Sequence, residues 1–248
     1  MLLINPQGLG EQALNKIAEL AIASQFKEAQ DLAVRVKTDP NLLAQGRLES
    51  LAIDGVGIVT QSNLRMQQMC ISMGGIAVSP LKALMGNIEL TEPSRGKASF
   101  ILTEADLSRA LNEKSIQNLT NRLALKLEER SVKIVPQSMK CHLSRREIAI
   151  AAQLQDIETK QVYSILLVTM PEMRSPTGIK LVSPHYKRGQ EPSPQLTNLL
   201  LETLGDILNL RNFEMPGLSL QIQQFQLKEG QIDLQAMATM THFPSNRS

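Results

Sequence analysis

Residues that commonly do nucleophilic or metal chemistry are scarce in this chain. It contains three histidines (His142, His185 and His242) and two cysteines (Cys70 and Cys141). None of them belongs to an HExxH, CxxC or GxSxG motif, the spacings that bring metal ligands, paired thiols or a serine nucleophile into working geometry. Cys141 and His142 are neighbours on a predicted strand, so their side chains should point to opposite faces and cannot share a metal ion. We therefore expect no catalytic residue, no metal site and no cofactor.

Two further patterns resemble functional signals but have simpler interpretations. Gly74-Gly75 lacks the lysine and the serine or threonine of a phosphate-binding loop, and we interpret the pair as a turn. Glu104 and Asp106 stand at a predicted helix start, where the helix dipole stabilises acids, so we interpret them as caps rather than as a catalytic pair. An acyl hydrolase remains an alternative, because a catalytic triad is defined by spatial geometry and not by sequence order.

Basic residues form three short clusters that are candidates for contact with phosphate or with an anionic membrane. The largest contains Lys180, His185, Lys187 and Arg188. We predict that this cluster is the headgroup or membrane-surface site, since a cation near an anionic leaflet gains about 1 kcal/mol. Arg145 with Arg146, and Arg95 with Lys97, form the two smaller clusters. For each cluster the alternative is a solvated turn without a ligand.

Composition argues against several ligand classes. The 26 lysines and arginines against 24 acids give a net charge of +2, without the dense basic stripe of a nucleic-acid-binding protein, so no nucleic-acid partner is expected. Five phenylalanines, two tyrosines and no tryptophan leave few platforms on which bases or sugars could stack. Eleven methionines, which are flexible and fill irregular apolar space, suit a linear hydrocarbon better than a flat ring. The alternative is an ordinary aliphatic core.

The sequence also predicts where the protein works. Two cysteines set no disulfide framework, which favours a reducing compartment. The first residues show no basic region followed by an apolar stretch of signal-peptide length. No window approaches ~18 uninterrupted apolar residues, so no transmembrane helix is expected. We expect a cytoplasmic protein, peripheral on the cytoplasmic face of a membrane if it meets one.

Hydrophobic periodicity predicts a strand-rich chain with apolar helices. Helical spacing predicts helices over 8–24 and 195–210, a helix opened by Thr103 and capped with Asp106, and another capped by Ser115 with the stripe Ile116, Leu119, Leu123 and Leu127. Alternation predicts strands over 32–36, 46–59, 64–73, 76–78, 87–90, 97–103, 148–154, 161–170, 177–184, 218–227 and 231–240. Gly55 and Gly57 predict a bulge or bend in the second strand, and Lys228-Glu229-Gly230 predicts a hairpin turn.

Long antiparallel strands with one polar face must bury the other, and the apolar helices are the available cover. This favours an α+β fold, a long curved antiparallel sheet wrapped around apolar helices as a half-barrel. Small residues at inward positions, such as Ala98, either admit a helix closely or leave a groove. An acyl chain would suit such a groove, since each methylene taken from water contributes ~0.8 kcal/mol. The predicted lipid-binding residues are Ile148, Ile150, Ala152, Leu200, Leu204, Leu218, Leu220, Ile222, Ala236 and Ala238.

Four stretches are similar to the LmeA-like phospholipid-binding family. They read GRLESLAIDGVGIVTQSNLRMQQMCI, GNIEL, KASFILTEADLSRALN and GLSLQIQQFQLKEGQIDLQAMATM, and Leu102–Leu107 is the most characteristic piece. The resemblance spans about residues 29–241. It implies phospholipid binding, a fold related to tubular lipid-binding domains and no catalytic residues. Envelope members of the family carry an N-terminal export signal, and its absence from these first residues favours the cytoplasmic side of a membrane.

The resemblance and the periodicity together predict three segments. Residues 1–28 form an N-terminal helix that packs on the sheet, 29–241 form the lipid-binding domain, and 242–248 form a disordered tail. A helix followed by a hairpin at both ends predicts two pseudo-repeated halves that meet near residue 130, with chance as the alternative. The predicted function is binding, with transfer as an extension, of a phospholipid or another acyl-chain lipid at a membrane surface. The alternative is a non-catalytic scaffold of the same fold with a filled core, which would bind a protein partner at a sheet edge or at the leucine-rich helix. The sequence does not identify that partner.

Overall fold

Apolar and polar residues alternate along most strands, and this alternation gives each strand one buried and one exposed face. In the strand 148–156, for example, Ile148, Ile150, Ala152 and Leu154 are buried while Gln153 is exposed. The computed structural model describes residues 9–79, 81–82, 85, 89–122, 124–127, 130–188 and 194–243. These residues form two antiparallel sheets with a few helices, and the sheet is open and curved, which confirms the predicted α+β class.

The elements follow one another in a regular order along the chain. The described helices are α1 (Leu9–Ala23), α2 (Pro40–Ala44), α3 (Glu104–Arg122), α4 (Pro194–Ile207) and a 3-10 turn (Leu210–Asn212). The strands of the first half are β1 (Phe26–Glu28), β2 (Asp31–Lys37), β3 (Arg47–Thr60), β4 (Arg65–Ala77) and β5 (Ser94–Thr103). Those after α3 are β6 (Ala124–Leu127), β7 (Arg130–Leu143), β8 (Ile148–Asp156), β9 (Val162–Ser175) and β10 (Gly178–Arg188). The last two are β11 (Leu218–Lys228) and β12 (Gln231–Met240).

The last hairpin of the chain completes the sheet that the first half begins. The seven-stranded sheet has the order β1-β3-β4-β5-β12-β11, with β2 also paired to β3, and the five-stranded sheet has the order β10-β9-β8-β7-β6. In the middle of the larger sheet β12 pairs with β5, so that Ala98 lies opposite Ala236. The two sheets are tied together where the amide of Ile222 donates to the carbonyl oxygen of Pro176 at 2.5 Å.

One hydrophobic core lies between the two sheets and the helices. We call the side of each sheet that faces this core its inner face, and the opposite side its outer face. Helix α3 contributes Leu107 and Leu111 to the core, and α4 contributes Leu200 and Leu204. Helix α3 contacts β7 of the smaller sheet as well as β4 and β5 of the larger one. It therefore bridges the two sheets.

A ladder of polar side chains fastens α3 to the backbone of β7. The amides of Met139, Cys141 and Leu143 donate to side-chain oxygens of Asn112, Ser108 and Glu104 at 2.9, 2.8 and 2.7 Å. The three acceptors are four residues apart and share one face of the helix. Because they occupy hydrogen-bonding groups that a neighbouring strand would otherwise use, the helix covers this stretch of strand edge.

The start of α3 is fastened to the larger sheet by a buried carboxylate. Asp106 is 1% exposed, and its oxygens accept from the amide and hydroxyl of Thr103 at 2.9 and 2.7 Å. The amide of Asp106 donates in return to the hydroxyl of Thr103, which confirms the predicted cap. The second oxygen of Asp106 lies 2.5 Å from the Arg65 guanidinium on β4. The characteristic Leu102–Leu107 segment is therefore a structural joint.

The same order of elements occurs twice. Helix α1 is followed by a short strand and four longer ones, β2–β5, and α3 is followed by a short strand and four longer ones, β7–β10. Each helix contacts the first long strand that follows it. In both cases an asparagine of the helix accepts from a strand amide: Asn15 from Val36 at 2.6 Å, and Asn112 from Met139 at 2.9 Å. The two runs of elements are thus similar, although α2 lies between β2 and β3 only in the first run. The predicted pseudo-repeat with a boundary near residue 130 stays a prediction.

Several local predictions were wrong. Ser115 does not cap a new helix, because α3 continues through it to Arg122, and Leu127 lies in β6 instead of on that helix. Gly74 and Gly75 do not form a turn but lie inside β4, where Gly75 has a φ of +62°. The predictions for Leu123, for much of the strand 87–90 and for 244–248 of the tail lie outside the described residues.

We predict that Asp106→Ala lowers the free energy of unfolding by about 2–4 kcal/mol. The change removes a helix cap and leaves Arg65, whose side chain is 26% exposed, without its carboxylate. Asp39→Ala is the matched control, because Asp39 caps the short helix α2 through the amides of Asn41 and Leu42 but is exposed. It should cost only about 1 kcal/mol. Urea denaturation measures both, and equal losses would contradict the role of Asp106 as a joint.

Candidate functional site

The ten residues predicted to bind lipid all lie inside the core. Each is exposed to water by 5% or less, including Ile222 at 5% and Leu204 at 0%. Interiors packed to this degree contain few spaces larger than a water molecule. An acyl chain would fit beside these side chains only if the packed core opened. Their contact with lipid stays a prediction.

The predicted headgroup residues lie on β10, at the edge of the five-stranded sheet. Lys180, His185 and Lys187 are exposed, and Arg188 ends the strand with a side chain outside the description. The Lys187 ammonium lies 2.8 Å from Glu147, and this hydrogen bond holds the pKa of the Glu147 carboxyl below its ordinary value. Their role as a headgroup site also stays a prediction.

A shallow groove of about 370 Å³ separates β10 from α4. Lys180 lies on one side of it, and Glu202 and Asp206 lie on the other. The two acids of α4 would repel a phosphate, and no other basic residue lines this groove beside Lys180 among the described residues. The groove is therefore a poor match for a phosphate.

A larger groove, of about 710 Å³, crosses the outer face of the seven-stranded sheet. Its lining comes from six strands, β2, β3, β4, β5, β11 and β12. Strand register arranges the side chains in two rows across the sheet. The first row runs Arg35, Ala52, Ser72, Lys97 and Met237. The second row runs Asp54, Cys70, Ser99 and Gln235.

The floor of this outer groove is low because its central side chains are small. Ala52 pairs with Ser72, and Cys70 pairs with Ser99, so four short side chains meet where β3, β4 and β5 lie side by side. Longer side chains such as Arg35 stand at the ends of the rows. Short residues flanked by long ones create a depression on a face that would otherwise be a flat solvated surface.

Gly96 lets β4 and β5 approach each other closely beside this floor. A Cβ atom at this position would lie 2.9 Å from the Cα of Met73 and closer still to the carbonyl oxygen of Ser72. Real Cβ atoms essentially never make such contacts. Gly96 lines the groove, and its missing side chain is therefore a steric requirement of the way these two strands meet.

The groove contains one ion pair and one basic side chain that is not paired with any described residue. Arg35 and Asp54 form an ion pair across β2 and β3. Lys97 is exposed and forms no ion pair with any described residue. It lies opposite Met237 in the sheet register, so a free ammonium and an apolar side chain stand next to each other. This pairing suits a ligand that has an anionic part beside an apolar part.

The two cysteines differ in access but share a raised pKa. Cys70 is exposed in the groove, and burial raises the pKa of its thiol, with Asp54 raising it further. Cys141 is buried in the core, and desolvation raises its pKa to about 12. A thiol needs a lowered pKa to be a strong nucleophile near neutral pH. Neither cysteine therefore has the environment of a reactive catalytic thiol.

Two kinds of feature are absent from the described part of the chain. No group of three or more His, Cys, Asp or Glu side chains there could hold a metal ion. None of the described helices is long and apolar enough to cross a bilayer.

Sequence reasoning named two of the lining residues, Lys97 in a basic cluster and Ala236 as a lipid-binding residue. It missed the outer groove as a site because the signal is distributed over distant strands. The four small floor residues come from positions 52, 70, 72 and 99, and only the pairing of three strands brings them together. Small residues at alternate positions of the polar face, followed by the glycine at 96, are the signal that could have indicated it.

The comparisons with known proteins identify a family. A family model described as LmeA-like phospholipid-binding matches residues 6–237, nearly the whole chain and including α1. Neither the curated proteins nor the solved structures gave a match.

We predict that Gly96→Ala lowers the free energy of unfolding by about 1–3 kcal/mol, since the added methyl group forces β4 and β5 apart. Gly74→Ala is the matched control on the same two strands. A Cβ at Gly74 would meet only the Glu49 carbonyl oxygen, at 4.0 Å, so stability should change by less than about 0.5 kcal/mol. Urea denaturation measures the pair. A neutral Gly96→Ala would show that the close approach is not required.

Proposed function

The chain belongs to the LmeA-like phospholipid-binding family, and we propose that it binds a phospholipid in the groove on the outer face of its seven-stranded sheet. The observation that carries this location is a groove with a floor of small side chains beside Lys97, which is not paired with an acid of the described residues. The family supports the ligand class, and the groove supports the location.

The size of the groove is appropriate for a large part of such a ligand. Small-molecule sites usually have volumes of roughly 300–1,000 Å³. The outer groove, at about 710 Å³, falls within this range, whereas a small cavity beside α3 and Asn212 has about 50 Å³. The outer groove is open along one side, so parts of a lipid that exceed its volume can remain outside.

The chemistry of the lining is also appropriate. Lys97 offers an ammonium to a phosphate without an internal partner to displace, and Ser72 and Ser99 offer hydroxyl groups nearby. Met237 and Ala52 provide apolar contact for the glycerol end of an acyl chain. A headgroup that enters beside Lys97 would therefore place its chains across the sheet.

The core is the competing location. Sequence periodicity pointed to the core, where the ten predicted residues are 5% exposed or less. To admit a chain there, the protein would have to open this packing and separate aliphatic side chains whose burial stabilises the fold by roughly 1.5–3 kcal/mol each. The outer groove needs no such rearrangement, and for this reason we place the lipid there.

We propose binding without catalysis. The groove holds a cysteine and two serines that could act as nucleophiles, but none of its described lining residues is a histidine that could serve as their base. The raised pKa of Cys70 keeps its thiol protonated near neutral pH. We further propose that the protein exchanges its lipid at a membrane surface. A filled core with no lipid bound anywhere would instead favour a scaffold of the same fold.

We predict that filling the groove weakens lipid binding. Ser99→Phe places a large ring on the floor and should weaken binding of a fluorescent, short-chain phosphatidylglycerol at least about tenfold, the effect of a ~1.4 kcal/mol clash. Ser219→Phe is the control, because Ser219 is exposed on the larger sheet, on β11, and does not line the groove. Equal affinities in both variants would place the site elsewhere, and no binding by the unaltered protein would contradict the proposed function.

Thiol reactivity gives a second readout in the same experiment. Cys70 should react with a thiol reagent in the folded protein, and bound phospholipid should slow the reaction. Its rate should still rise above pH 9, the ordinary pKa of a cysteine, because burial and Asp54 raise the pKa of this thiol. Cys141 should react only after unfolding. Binding without protection of Cys70 would again place the lipid outside the groove.

A further inference from the structure

The connection between β4 and β5 carries the two most exposed large apolar side chains of the described residues. Leu81 is 75% exposed and Met85 is 78% exposed, against 54% for Leu20 on α1. They are four residues apart, with Lys82 between them. Side chains of this kind on a water-facing tip are unfavourable unless a partner covers them.

The base of this connection is held firmly. Val78 and Leu90 form a bridge across it, and both are buried, at 2% and 9% exposure. The amide of Ser79 donates to the carbonyl oxygen of Glu89 at 2.9 Å, and the amide of Val78 donates to that of Gly46 at 2.7 Å. The β4–β5 hairpin thus continues to Ser79 and Glu89, beyond the last pairing of β3 with β4. We call the described residues Leu81, Lys82 and Met85 of this connection the tip.

Three cations belong to this connection or to the strand ends beside its base. Arg47 and Arg95, near the adjoining ends of β3 and β5, are exposed, and among the described residues neither forms an ion pair. Lys82 is paired with Glu89. Counting these three cations against Glu89 and Glu92 gives three positive and two negative charges, a net charge of +1. Apolar side chains with cations behind them match the boundary between acyl chains and phosphate headgroups.

We propose that Leu81 and Met85 insert into the surface of a membrane and hold the groove beside it. This rests on the proposed function and adds the contact through which lipid would be exchanged. The tip joins the two strands that provide most of the groove floor. Ser72 is five residues from Ala77, so about 16 Å of strand separates the floor from the base of the tip.

A lipid surface fits the tip better than a protein partner does. Stable protein interfaces bury about 1,200–2,000 Å² in total, which needs many residues on each side. The two large apolar side chains described on this connection are far short of that area. Membrane contact through a few inserted side chains and nearby cations needs no such surface.

Single-tryptophan reporters test the proposal, because the chain has no tryptophan of its own. Leu81→Trp should show a blue-shifted emission and quenching by brominated lipid when vesicles of equal parts phosphatidylcholine and phosphatidylglycerol are added. Leu20→Trp, on the exposed side of α1, should show neither change. If Leu81→Trp does not respond while vesicles bind the protein, the proposal is overturned.

A second variant separates this proposal from the proposed function. Leu81→Ser combined with Met85→Ser should reduce the amount of protein that sediments with the same vesicles by roughly tenfold. Its affinity for dissolved short-chain phosphatidylglycerol should be unchanged. If the unaltered protein binds dissolved lipid but no vesicles, the proposed insertion of Leu81 and Met85 into a membrane is wrong, while the proposed lipid site in the outer groove is not contradicted. If it binds neither, the proposed function has failed, and the tip with it.

Discussion

The aliphatic side chains of both sheets meet in one core that is almost closed to water, and this packing constrains where a ligand can lie. Large members such as Phe100 and Phe213, whose ring centroids are 5.1 Å apart, have exposures of 2% or less. The inner face of every strand of the larger sheet packs in this core. A ligand that enters without rearranging the core must use the outer face, and there the shape of the surface depends on which polar-face residues are short.

The joint between the two sheets explains why this core is one unit. Helix α3 brings apolar residues to the inner faces and, from its other positions, supplies the polar groups that fasten it to β7 and to Arg65. Buried polar groups specify an arrangement only when their partners are present, and here each rung of the ladder has one. Among the described surfaces, we propose the outer groove and the β4–β5 tip as those that meet lipid.

Most elements could be predicted from the sequence because their signals are local. The Thr103–Asp106 cap depends on residues three positions apart, and the alternation of Ile148 to Leu154 is visible in the chain itself. Ser115 was misread because a serine inside a long helix has the same local pattern as a cap. The sequence indicated Lys97 and Ala236 of the outer groove but not the groove itself, since the meeting of Cys70 with Ser99 depends on register between strands. The sequence prediction placed the lipid site on apolar residues that face the core. In the structure these side chains are already packed against one another.

The location of the lipid is the central claim, and photocrosslinking tests it most directly. A phospholipid with a photoreactive group in one acyl chain would be bound to the purified protein and irradiated, and the labelled residues would be mapped by peptide mass spectrometry. The outer groove predicts labels on Ala52, Ser72, Ser99 and Met237. Labels on core residues such as Ile150 and Leu204, with none on these four, would contradict it and show that the helices open to admit the chain.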